Sequence, residues 1–492
     1  MIWDEYMKVY VYHHPIMATT FAYHNYDDIS GDPFSQKTRE TMRNVHETFL
    51  KRTKQLMGKS PSTELRVFCE FLQNRIKCRE LDDATMIDHR GGWIVQTLIP
   101  ALLKDQKYST DFDQTRAEMR LEELPLTLES YTRCILLMGQ RHPPSSIVLD
   151  AMIQKLEHSV NTLRTQRPDD VSNDLFDKMC SILSTHIQTS LIPNLKKLTP
   201  RSGLGVCYLK DGRRMYEAAM VLHCGIDNLS ASEVHNVGKQ KVLELTSRIE
   251  QHGPFDKTVK RGKEAIEMYK QIVKRSQEES FPKHLFPFLS QTDPCEVEEM
   301  PEKHRKGGPL AYYQGNCFWV NTNYDHPEHQ AEALAFHEAV PGHHFQNNIE
   351  EQFVNWPAYR YFCRHTGFVE GWAMLAEHMI EPILPNGQVG ILESERFRAV
   401  RLVVDTGIHA LYWSIEKARQ YMKEYASITP EELEAEIVRY TSEPGQALGY
   451  YSGLETFRTV FTKHKNNLPS TLEGILQDGT VPMKMVVRKW MM

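Results

Sequence analysis

Apolar residues recur at helical spacing along most of the chain, whereas strict alternation of apolar and polar residues is rare. The segment 230–233 reads Ser-Ala-Ser-Glu, which has the form of a helical capping box, and apolar residues follow it at intervals of three and four. The segment 429–432 reads Thr-Pro-Glu-Glu and combines a capping residue, a first-turn proline and a glutamate three residues on. Segments 205–209 and 317–321 are the two candidate strands. The pattern therefore predicts a mainly α protein with a few short strands.

The length and composition set the expected domain organisation. The 492 residues are enough for one large or two medium hydrophobic cores, and 41% apolar and 25% charged residues are ordinary values for a globular protein. No internal repeat or low-complexity tract interrupts the chain. Its two most flexible segments are expected at 201–203, which reads Arg-Ser-Gly, and at 301–309, of which the second is predicted to be a loop near the site and not a domain linker. We therefore predict an N-terminal helical half over residues 1–200. It packs without a true linker against a catalytic half over residues 201–492, as one continuous unit.

Charge and targeting signals narrow the class of partner. The 58 basic and 64 acidic residues give a net charge of −6, which argues against nucleic-acid binding and against a polybasic membrane anchor. No apolar run reaches the roughly 20 residues that span a bilayer, and the first residues lack the pattern of a signal peptide. The nine cysteines include no Cys-x-x-Cys pair, which favours reduced thiols. We expect a cytoplasmic protein, and the sequence does not predict its oligomeric state.

Candidate chemistry is concentrated in the segment 337–344, which reads His-Glu-Ala-Val-Pro-Gly-His-His and follows a predicted helix. It brings three imidazoles and a carboxylate into eight residues. Neutral imidazole is a preferred zinc ligand, and a carboxylate beside such a ligand can accept a proton from a metal-bound water. The segment resembles the His-Glu-x-x-His motif of zinc hydrolases with Pro-Gly inserted before the second histidine.

A regular helix could not bring these histidines to one ion. His337 and His344 would share a face but lie about 10 Å apart along the axis, and His343 would point about 120° away. Pro341 cannot donate an N–H to the carbonyl of His337, and Gly342 loosens the backbone further. We therefore predict a bend or a bulge that turns two residues outward and brings His343 to the position of the second ligand. His344 remains the alternative.

A third ligand is expected downstream, where the segment 370–373 reads Glu-Gly-Trp-Ala. Glu370 follows His337 by 33 residues, which is long enough for one helix to end and another to pack against it. Glu377 is a weaker ligand candidate, or a carboxylate that orients a ligating histidine. Two imidazoles, one carboxylate and an open position form a catalytic zinc set, so we predict one Zn²⁺ ion, with Mn, Fe and Co as alternatives.

These motifs resemble those of the DUF885 family, whose pattern is His-Glu-x-x-Pro-Gly-His-His-x-Gln and is completed here by Gln346. Segments 370–373, 401–409 and 439–450 are similar to the same family, so the resemblance covers nearly the whole chain. It implies a large helical metallopeptidase-like fold, with a cleft similar to those of angiotensin-converting-enzyme-like and oligopeptidase architectures, and a gluzincin-like third ligand.

The site and the resemblance together predict a zinc hydrolase that cleaves peptide bonds of short peptides, in the manner of a carboxypeptidase or an oligopeptidase. His337, His343 and Glu370 would hold the ion, and Glu338 would be the general base. Candidate donors to the oxyanion lie on the resembling C-terminal segments: His409, Arg439, Tyr440 and Tyr450. A carboxypeptidase would also need a positively charged side chain to bind the terminal carboxylate of its substrate. The unranked candidates are Arg360, Arg364 and Arg401.

Each donor also has a structural interpretation. His409 could pair with Asp405 on one helix face, Arg439 could pair with a core carboxylate, and the two tyrosines could be buried with satisfied hydroxyls. Two alternatives remain for the function as a whole. One is a zinc hydrolase of non-peptide amides, and the other is a non-catalytic binding protein that keeps a metal pocket.

Overall fold

The computed structural model describes residues 1–255, 257–278, 285–287, 292–305, 308–353, 356–363, 365–380 and 388–491. These residues form a mainly α-helical protein with a few short strands, as the sequence predicts. They divide into two compact units. The N-terminal unit comprises Met1–Ala218, Pro357–Tyr361 and Thr441–Glu443, and the C-terminal unit comprises the other residues. The packing of two halves as one continuous unit stays a prediction.

The N-terminal unit is built from helices around one apolar core, to which Leu124, Leu128 and Leu156 contribute fully buried side chains. The helix Asp111–Arg141 begins at a capping box in which Thr110 and Asp113 bond to each other's backbone N–H groups. The helices lie at Ile2–His13, Pro15–Thr20, Gln36–Lys59, Thr63–Lys77, Arg79–Ala84, Asp111–Arg141, Ser146–Leu163, Asn173–His186 and Ile192–Leu195. Shorter helical turns lie at His24–Tyr26, Ile94–Leu98, Ala101–Asp105, Ile187–Leu191 and Val206–Tyr208.

The strand predicted at 205–209 is wrong, because Val206–Tyr208 forms a helical turn. The N–H of Leu209 donates to the carbonyl of Val206 at 2.8 Å and closes this turn. The backbone at Gly212 then returns against Val206, where an added Cβ would lie 1.8 Å from the Val206 carbonyl oxygen. The apolar residues of this segment are therefore buried by a tight turn and not by a neighbouring strand.

The helices of the remaining chain begin where the capping patterns indicate. Ser230 accepts the N–H of Glu233, and Thr429 and Glu432 exchange two bonds of 2.8 and 3.2 Å, which confirms both predicted starts. The helices lie at Gly212–Cys224, Ala231–His252, Gly262–Glu278, Glu302–Arg305, Glu328–Glu338, His343–Phe353, Thr366–Ile380, Gln388–Ala410, Ile415–Tyr425, Pro430–Ser442, Leu448–Lys463, Leu468–Asp478 and Met483–Trp490, with a turn at Ala358–Phe362. No helix in the described ranges combines the length and apolarity needed to cross a bilayer.

Five short strands form two small sheets in the C-terminal unit. β1 (Val259–Lys260) pairs with β5 (His326–Pro327) in antiparallel orientation. β2 (Glu296–Glu299), β3 (Ala311–Gln314) and β4 (Cys317–Val320) form a sheet in the order β2-β4-β3, in which β4 runs parallel to β2 and antiparallel to β3. The strand predicted at 317–321 is thus confirmed as β4. Within the described chain, β3 is an edge strand.

Two helices of the C-terminal unit, Thr366–Ile380 and Leu448–Lys463, meet at a glycine crossing formed by Gly367, Gly371, Gly449 and Gly453. A Cβ at Gly371 would lie 2.5 Å from the Cα of Gly453, and a Cβ at Gly453 would lie 1.9 Å from the carbonyl oxygen of Gly367. Side chains other than hydrogen would separate the two backbones. The crossing therefore fixes the positions of the residues next to these glycines, which include Glu370 and Tyr450.

Candidate metal centre

The motif helix (Glu328–Glu338) carries His337 and Glu338 in its last turn. Its final hydrogen bond runs from the N–H of Ala339 to the carbonyl of Ala335. Gly342 then packs on the helix end, where an added Cβ would lie 2.0 Å from the carbonyl oxygen of His337. A second helix, His343–Phe353, begins at once. The predicted distortion is present, but Pro-Gly ends one helix and starts another and does not form a bulge within one.

This break brings His343 to His337. The two imidazole centroids are 4.9 Å apart, and one ligand-type atom each from His337, Glu338 and His343 lie within 4.8 Å of one another. His344 is fully buried and turns to other partners, because its Nε2 donates to the carbonyl of Asp293 at 2.7 Å. Of the two adjacent histidines, the structure therefore places His343 beside His337.

Glu370 completes the arrangement from the helix Thr366–Ile380. Its Oε2 lies 3.4 Å from Nε2 of His337 and 3.6 Å from Nε2 of His343. Ligand atoms that bind a tetrahedral zinc ion at about 2.0–2.1 Å lie about 3.3–3.4 Å from each other. The three side chains thus have the donor types and the spacing of a zinc ligand set. Glu338, whose carboxylate also lies near both imidazoles, is a fourth donor group at the same place and the second one that offers oxygen.

The charges of these groups are strongly coupled. Burial alone would lower the pKa of His337, but hydrogen bonds to Glu370 and Glu377 outweigh it and raise that pKa to about 9. Burial alone would raise the pKa of Glu370, but its bonds to His337 and His343 hold it well below its usual value. A carboxylate that stays ionised between two imidazoles is the electrostatic environment that a cation needs.

Glu377 acts on the other nitrogen of His337. Its Oε1 lies 2.7 Å from Nδ1, and its side chain is fully buried about two helical turns beyond Glu370. Nδ1 therefore donates to Glu377, and Nε2 is the nitrogen that faces Glu370 and His343. Of the two roles that the sequence left open for Glu377, this contact is the orienting one.

The first three residues of the segment 370–373 (Glu-Gly-Trp-Ala) each make a separate contact. Glu370 faces the imidazoles, and Gly371 allows the close approach of the glycine crossing. Trp372 is fully buried and donates its Nε1–H to the carbonyl of Pro341 at 2.8 Å. The same helix thus supplies a candidate ligand and holds the turn that separates the two histidines.

Glu338 is held by the backbone of β3. Its Oε2 accepts the N–H of Tyr313 at 3.0 Å, and the carboxylate is half-buried. The sequence does not predict this contact, because a backbone donor leaves no side-chain signal. The carboxylate is thereby fixed in position beside the imidazoles.

Tyr450 lies next to this group of residues. Burial and the negative charge of Glu370 both raise the pKa of its phenol, and the guanidinium of Arg401 packs 4.3 Å from its ring centre. Its hydroxyl makes no hydrogen bond to any described residue. It is therefore a protonated donor at neutral pH with an unused O–H.

The other predicted donors have internal partners. Arg439 binds the carboxylate of Glu436 through Nε at 2.9 Å and Nη2 at 2.7 Å, and its Nη1 donates to Gln446. His409 is fully buried, and its Nε2 donates to the carbonyl of Tyr440 at 2.8 Å. The hydroxyl of Tyr440 donates to Glu436 and accepts from Arg401. The contacts of Arg439 and Tyr440 correspond to their structural interpretations, whereas the contact of His409 is with the Tyr440 carbonyl and not the predicted pair with Asp405.

The three arginines that could bind the terminal carboxylate of a peptide differ in their positions. Arg360 belongs to the N-terminal unit and binds Glu64 at 2.8 Å, and Arg364 lies outside the described residues. Arg401 packs against the Tyr450 ring and lies 3.2 Å from Glu436. Arg401 is therefore the one of the three that the described structure places beside the candidate metal centre.

A sequence profile of a family described as "Bacterial protein of unknown function (DUF885)" matches residues 15–489. The chain belongs to the DUF885 family. No curated protein matches the sequence of this DUF885 chain.

Solved structures share the fold of this DUF885 chain. One, a "putative lipoprotein" from Colwellia psychrerythraea, has a TM-score of 0.79 and 19% identity over 99% of this chain and 97% of its own. Another, a "putative lipoprotein of unknown function" from Shewanella oneidensis, has a TM-score of 0.69 and 16% identity over 100% and 99% of the two chains. At these identities the likeness shows the fold.

Proposed function

We propose that this DUF885 protein is a zinc-dependent hydrolase that cleaves peptide bonds of short peptides, in the manner of a carboxypeptidase or an oligopeptidase. The observation that carries the proposal is the convergence of His337, His343 and Glu370, with oxygen-to-nitrogen distances of 3.4 and 3.6 Å. The independently anchored carboxylate of Glu338 beside them supplies a base.

The proposal gives each residue of the centre one task. His337, His343 and Glu370 would hold the zinc ion, and Glu377 orients His337 through Nδ1. A bound zinc ion supplies a Lewis acid that makes water nucleophilic near neutral pH and polarises a carbonyl. Glu338 accepts the proton of the attacking water and delivers it to the leaving nitrogen.

Tyr450 is the donor that the proposal assigns to the developing oxyanion. Its phenol keeps its proton at neutral pH, because burial and Glu370 raise its pKa, and its O–H is not used by a described residue. Arg401 packs on the ring of Tyr450, and Arg439 shares the carboxylate of Glu436 with Arg401. Of the predicted donors, Tyr450 is thus the best supported, and Arg439 is assigned to the support of Tyr450. His409 is assigned to packing.

The edge strand β3 favours a peptide over other amides. The N–H of Tyr313 points to Glu338 and away from β4, so the backbone groups of Ala311 on the same side of β3 also point away from β4. An extended peptide laid along this edge would place a backbone carbonyl close to Glu338. A small non-peptide amide would use none of these groups.

A cytoplasmic location is part of the proposal and has separate support. Buried thiols of Cys78, Cys134, Cys180, Cys224, Cys295 and Cys317 are reduced in the structure, which suits a reducing compartment. The lipoprotein name of the two fold relatives points to the opposite location for those proteins. Fractionation of the native host decides the question, and recovery of the protein with membranes would overturn the cytoplasmic assignment.

The test of the activity is a comparison of the wild-type protein with Glu338→Gln on a peptide panel read by mass spectrometry. Zinc content should be equal in the two proteins, while the rate should fall by about 10²–10⁴-fold in the variant, because the base is lost. Glu328→Gln, at the opposite end of the same helix, where the carboxylate pairs with Lys260 at 3.0 Å, is the matched control and should keep the wild-type rate.

Two results would contradict the proposal in different ways. Full activity of Glu338→Gln would remove the base assignment but keep the hydrolase. Zinc-loaded wild-type protein that cleaves no peptide, yet hydrolyses a non-peptide amide, would replace the peptide substrate.

A further inference from the structure

A cavity of about 160 Å³ in the N-terminal unit is lined by an unusual density of arginines. We define the arginine pocket by Arg39, Arg43, Arg75, Arg79, His14 and His46, all of which line it. None of these residues takes part in the proposed hydrolysis. The pocket is therefore a second place in the molecule where a concave surface and ionisable groups coincide.

Three helices line the pocket, together with His14 at the C-terminal end of the helix Ile2–His13. Arg39, Arg43 and His46 follow each other at intervals of four and three on the helix Gln36–Lys59, so they lie on one face. Arg75 lies in the last turn of Thr63–Lys77, and Arg79 begins the next helix. Separate elements thus direct their guanidinium groups to one cavity.

The positive charge of the pocket is only partly balanced. Four guanidinium groups face two lining carboxylates, Asp82 and Asp83. Asp83 bonds to Arg39, but the distance from Asp83 to Arg43 is 4.0 Å, and that from Asp82 to Arg75 is 3.8 Å. Both of these ion pairs are too long for a hydrogen bond. The lining residues by themselves thus carry two more positive than negative charges, and Glu47, an acid outside the lining, lies 3.7 Å from Arg79.

One nitrogen of Arg79 in the pocket lacks a hydrogen-bond acceptor. Its Nη2 is buried and makes no hydrogen bond to a described residue, and the closest acid is Glu47 at 3.7 Å. A buried N–H of a charged group is costly when it is left without an acceptor. An anion in the cavity would supply that acceptor.

The pKa values of His14 and His46 are lowered in part by the positive charge of the pocket. Burial lowers the pKa of His46 to about 3, and the charges of Arg75 and Arg79 add to this effect. Burial likewise lowers the pKa of His14 to about 4, with a further contribution from Arg75. Both imidazoles are neutral near pH 7, so the cations of the pocket at that pH are the arginines.

We propose that the arginine pocket binds a small, doubly charged oxyanion of the phosphate type, either free or as the terminal group of a small phosphate ester. Guanidinium groups present paired N–H donors that match tetrahedral and carboxylate oxygens. Two negative charges balance the excess of two positive charges. The cavity is several times larger than the roughly 30 Å³ that one water occupies, which leaves room for such an anion.

The experiment is isothermal titration of the wild-type protein at pH 7 and constant ionic strength with inorganic phosphate, sulfate, glycerol phosphate and acetate. Saturable binding of phosphate or glycerol phosphate at one site is expected, with sulfate similar to phosphate and acetate much weaker. Tighter binding of glycerol phosphate identifies an ester as the ligand, and tighter binding of phosphate identifies the free anion.

Variants locate the binding site. Arg43→Gln and Arg79→Gln should each weaken phosphate binding by about tenfold or more, because each removes a charged donor. Arg52→Gln is the matched control, since Arg52 lies on the same helix as Arg43 but pairs with Glu5 on the surface. It should stay within about twofold of the wild-type affinity.

Histidine NMR of the wild-type protein provides a readout that does not depend on the folding of a variant. A bound dianion should raise the pKa of His14 and His46, because it cancels the field of the arginines. The proposal is overturned if the wild-type protein shows no saturable phosphate binding, or if phosphate leaves both histidine pKa values unchanged. Equal weakening in Arg52→Gln would overturn the location.

Discussion

The three glutamates around His337 and His343 differ in what their carboxylates contact. Glu370 faces both Nε2 atoms, Glu377 binds Nδ1 of His337, and Glu338 accepts a backbone N–H from β3. The same residue type can therefore serve as ligand, as orienting group and as base, and the contacts distinguish the roles. A substitution of each glutamate should give a different result.

Glu377→Gln is predicted to weaken zinc binding by about 10–100-fold, because the amide no longer fixes and polarises His337 through Nδ1. Competition with a chromophoric chelator measures the change. Glu393→Gln is the matched control, since Glu393 binds Nε2 of His329 on the same motif helix at 3.0 Å. Wild-type zinc affinity in Glu377→Gln would refute the orienting role.

At the scale of elements, the glycine crossing decides where Glu370 and Tyr450 lie. The crossing depends on the absence of side chains at Gly367, Gly371, Gly449 and Gly453, because an added Cβ at Gly453 or Gly371 would lie only 1.9 or 2.5 Å from the facing backbone. A shift of either helix would move a candidate ligand or a candidate donor. The metal centre is thus sensitive to packing outside its own residues.

Gly371→Ala is predicted to lower the free energy of unfolding by about 1–3 kcal/mol, because the new methyl group meets the backbone of Gly453. Urea denaturation measures this. Gly58→Ala, at a helical glycine with open space around it, should instead raise the free energy of unfolding by about 0.5–1 kcal/mol. Equal effects at the two sites would show that the crossing is not tightly packed.

Local signals predicted the elements that they control, and tertiary contacts formed the rest. The capping patterns at Ser230 and Thr429 act within one helical turn, so the sequence located both helix starts. Strand β3 is only four residues long, and its pairing with β4 is a contact that forms in the folded chain. The segment 205–209 lacks a partner strand and forms a turn, which its apolar pattern did not reveal.

The candidate ligands were more predictable than their surroundings. His337, His343 and Glu370 carry their chemistry in their side chains, so spacing and residue type sufficed to bring them together as a hypothesis. The sequence could not show that Trp372 donates to the carbonyl of Pro341, or that Tyr313 fixes Glu338, because both contacts involve backbone groups. The partner of His409, the carbonyl of Tyr440, likewise comes from a helix that packs against it only in the folded chain, whereas Arg439 pairs with Glu436 three residues earlier on its own helix.

At the scale of the whole molecule, the two units carry different chemistry. The C-terminal unit holds the candidate metal centre, and the N-terminal unit holds the arginine pocket with His14 and His46. Those two histidines are neutral in the folded protein and titrate normally when it unfolds. The stability of the protein should therefore depend on pH.

The folded-state pKa of His46 is about 3, below its ordinary value of 6.5. The stability that it contributes is fully present above pH 6.5 and is lost as the pH falls towards 3. At pH 5, this amounts to about 2 kcal/mol from His46, and His14 acts in the same direction. The free energy of unfolding should be lower at pH 5 than at pH 7.

Urea denaturation at the two pH values measures the loss, and His46→Gln should make it smaller. His158→Gln, at an exposed histidine of the same unit, should leave it unchanged. A pH dependence that is identical in wild type and His46→Gln would contradict the assignment.

The central claim is that residues on both sides of the Pro-Gly break share one metal ion with Glu370. Crystals of the zinc-loaded protein, measured across the zinc absorption edge, test it most directly. The account predicts one anomalous peak about 2.0–2.2 Å from Nε2 of His337, Nε2 of His343 and Oε2 of Glu370. No peak there, or a peak bonded to His344 in place of His343, would contradict it.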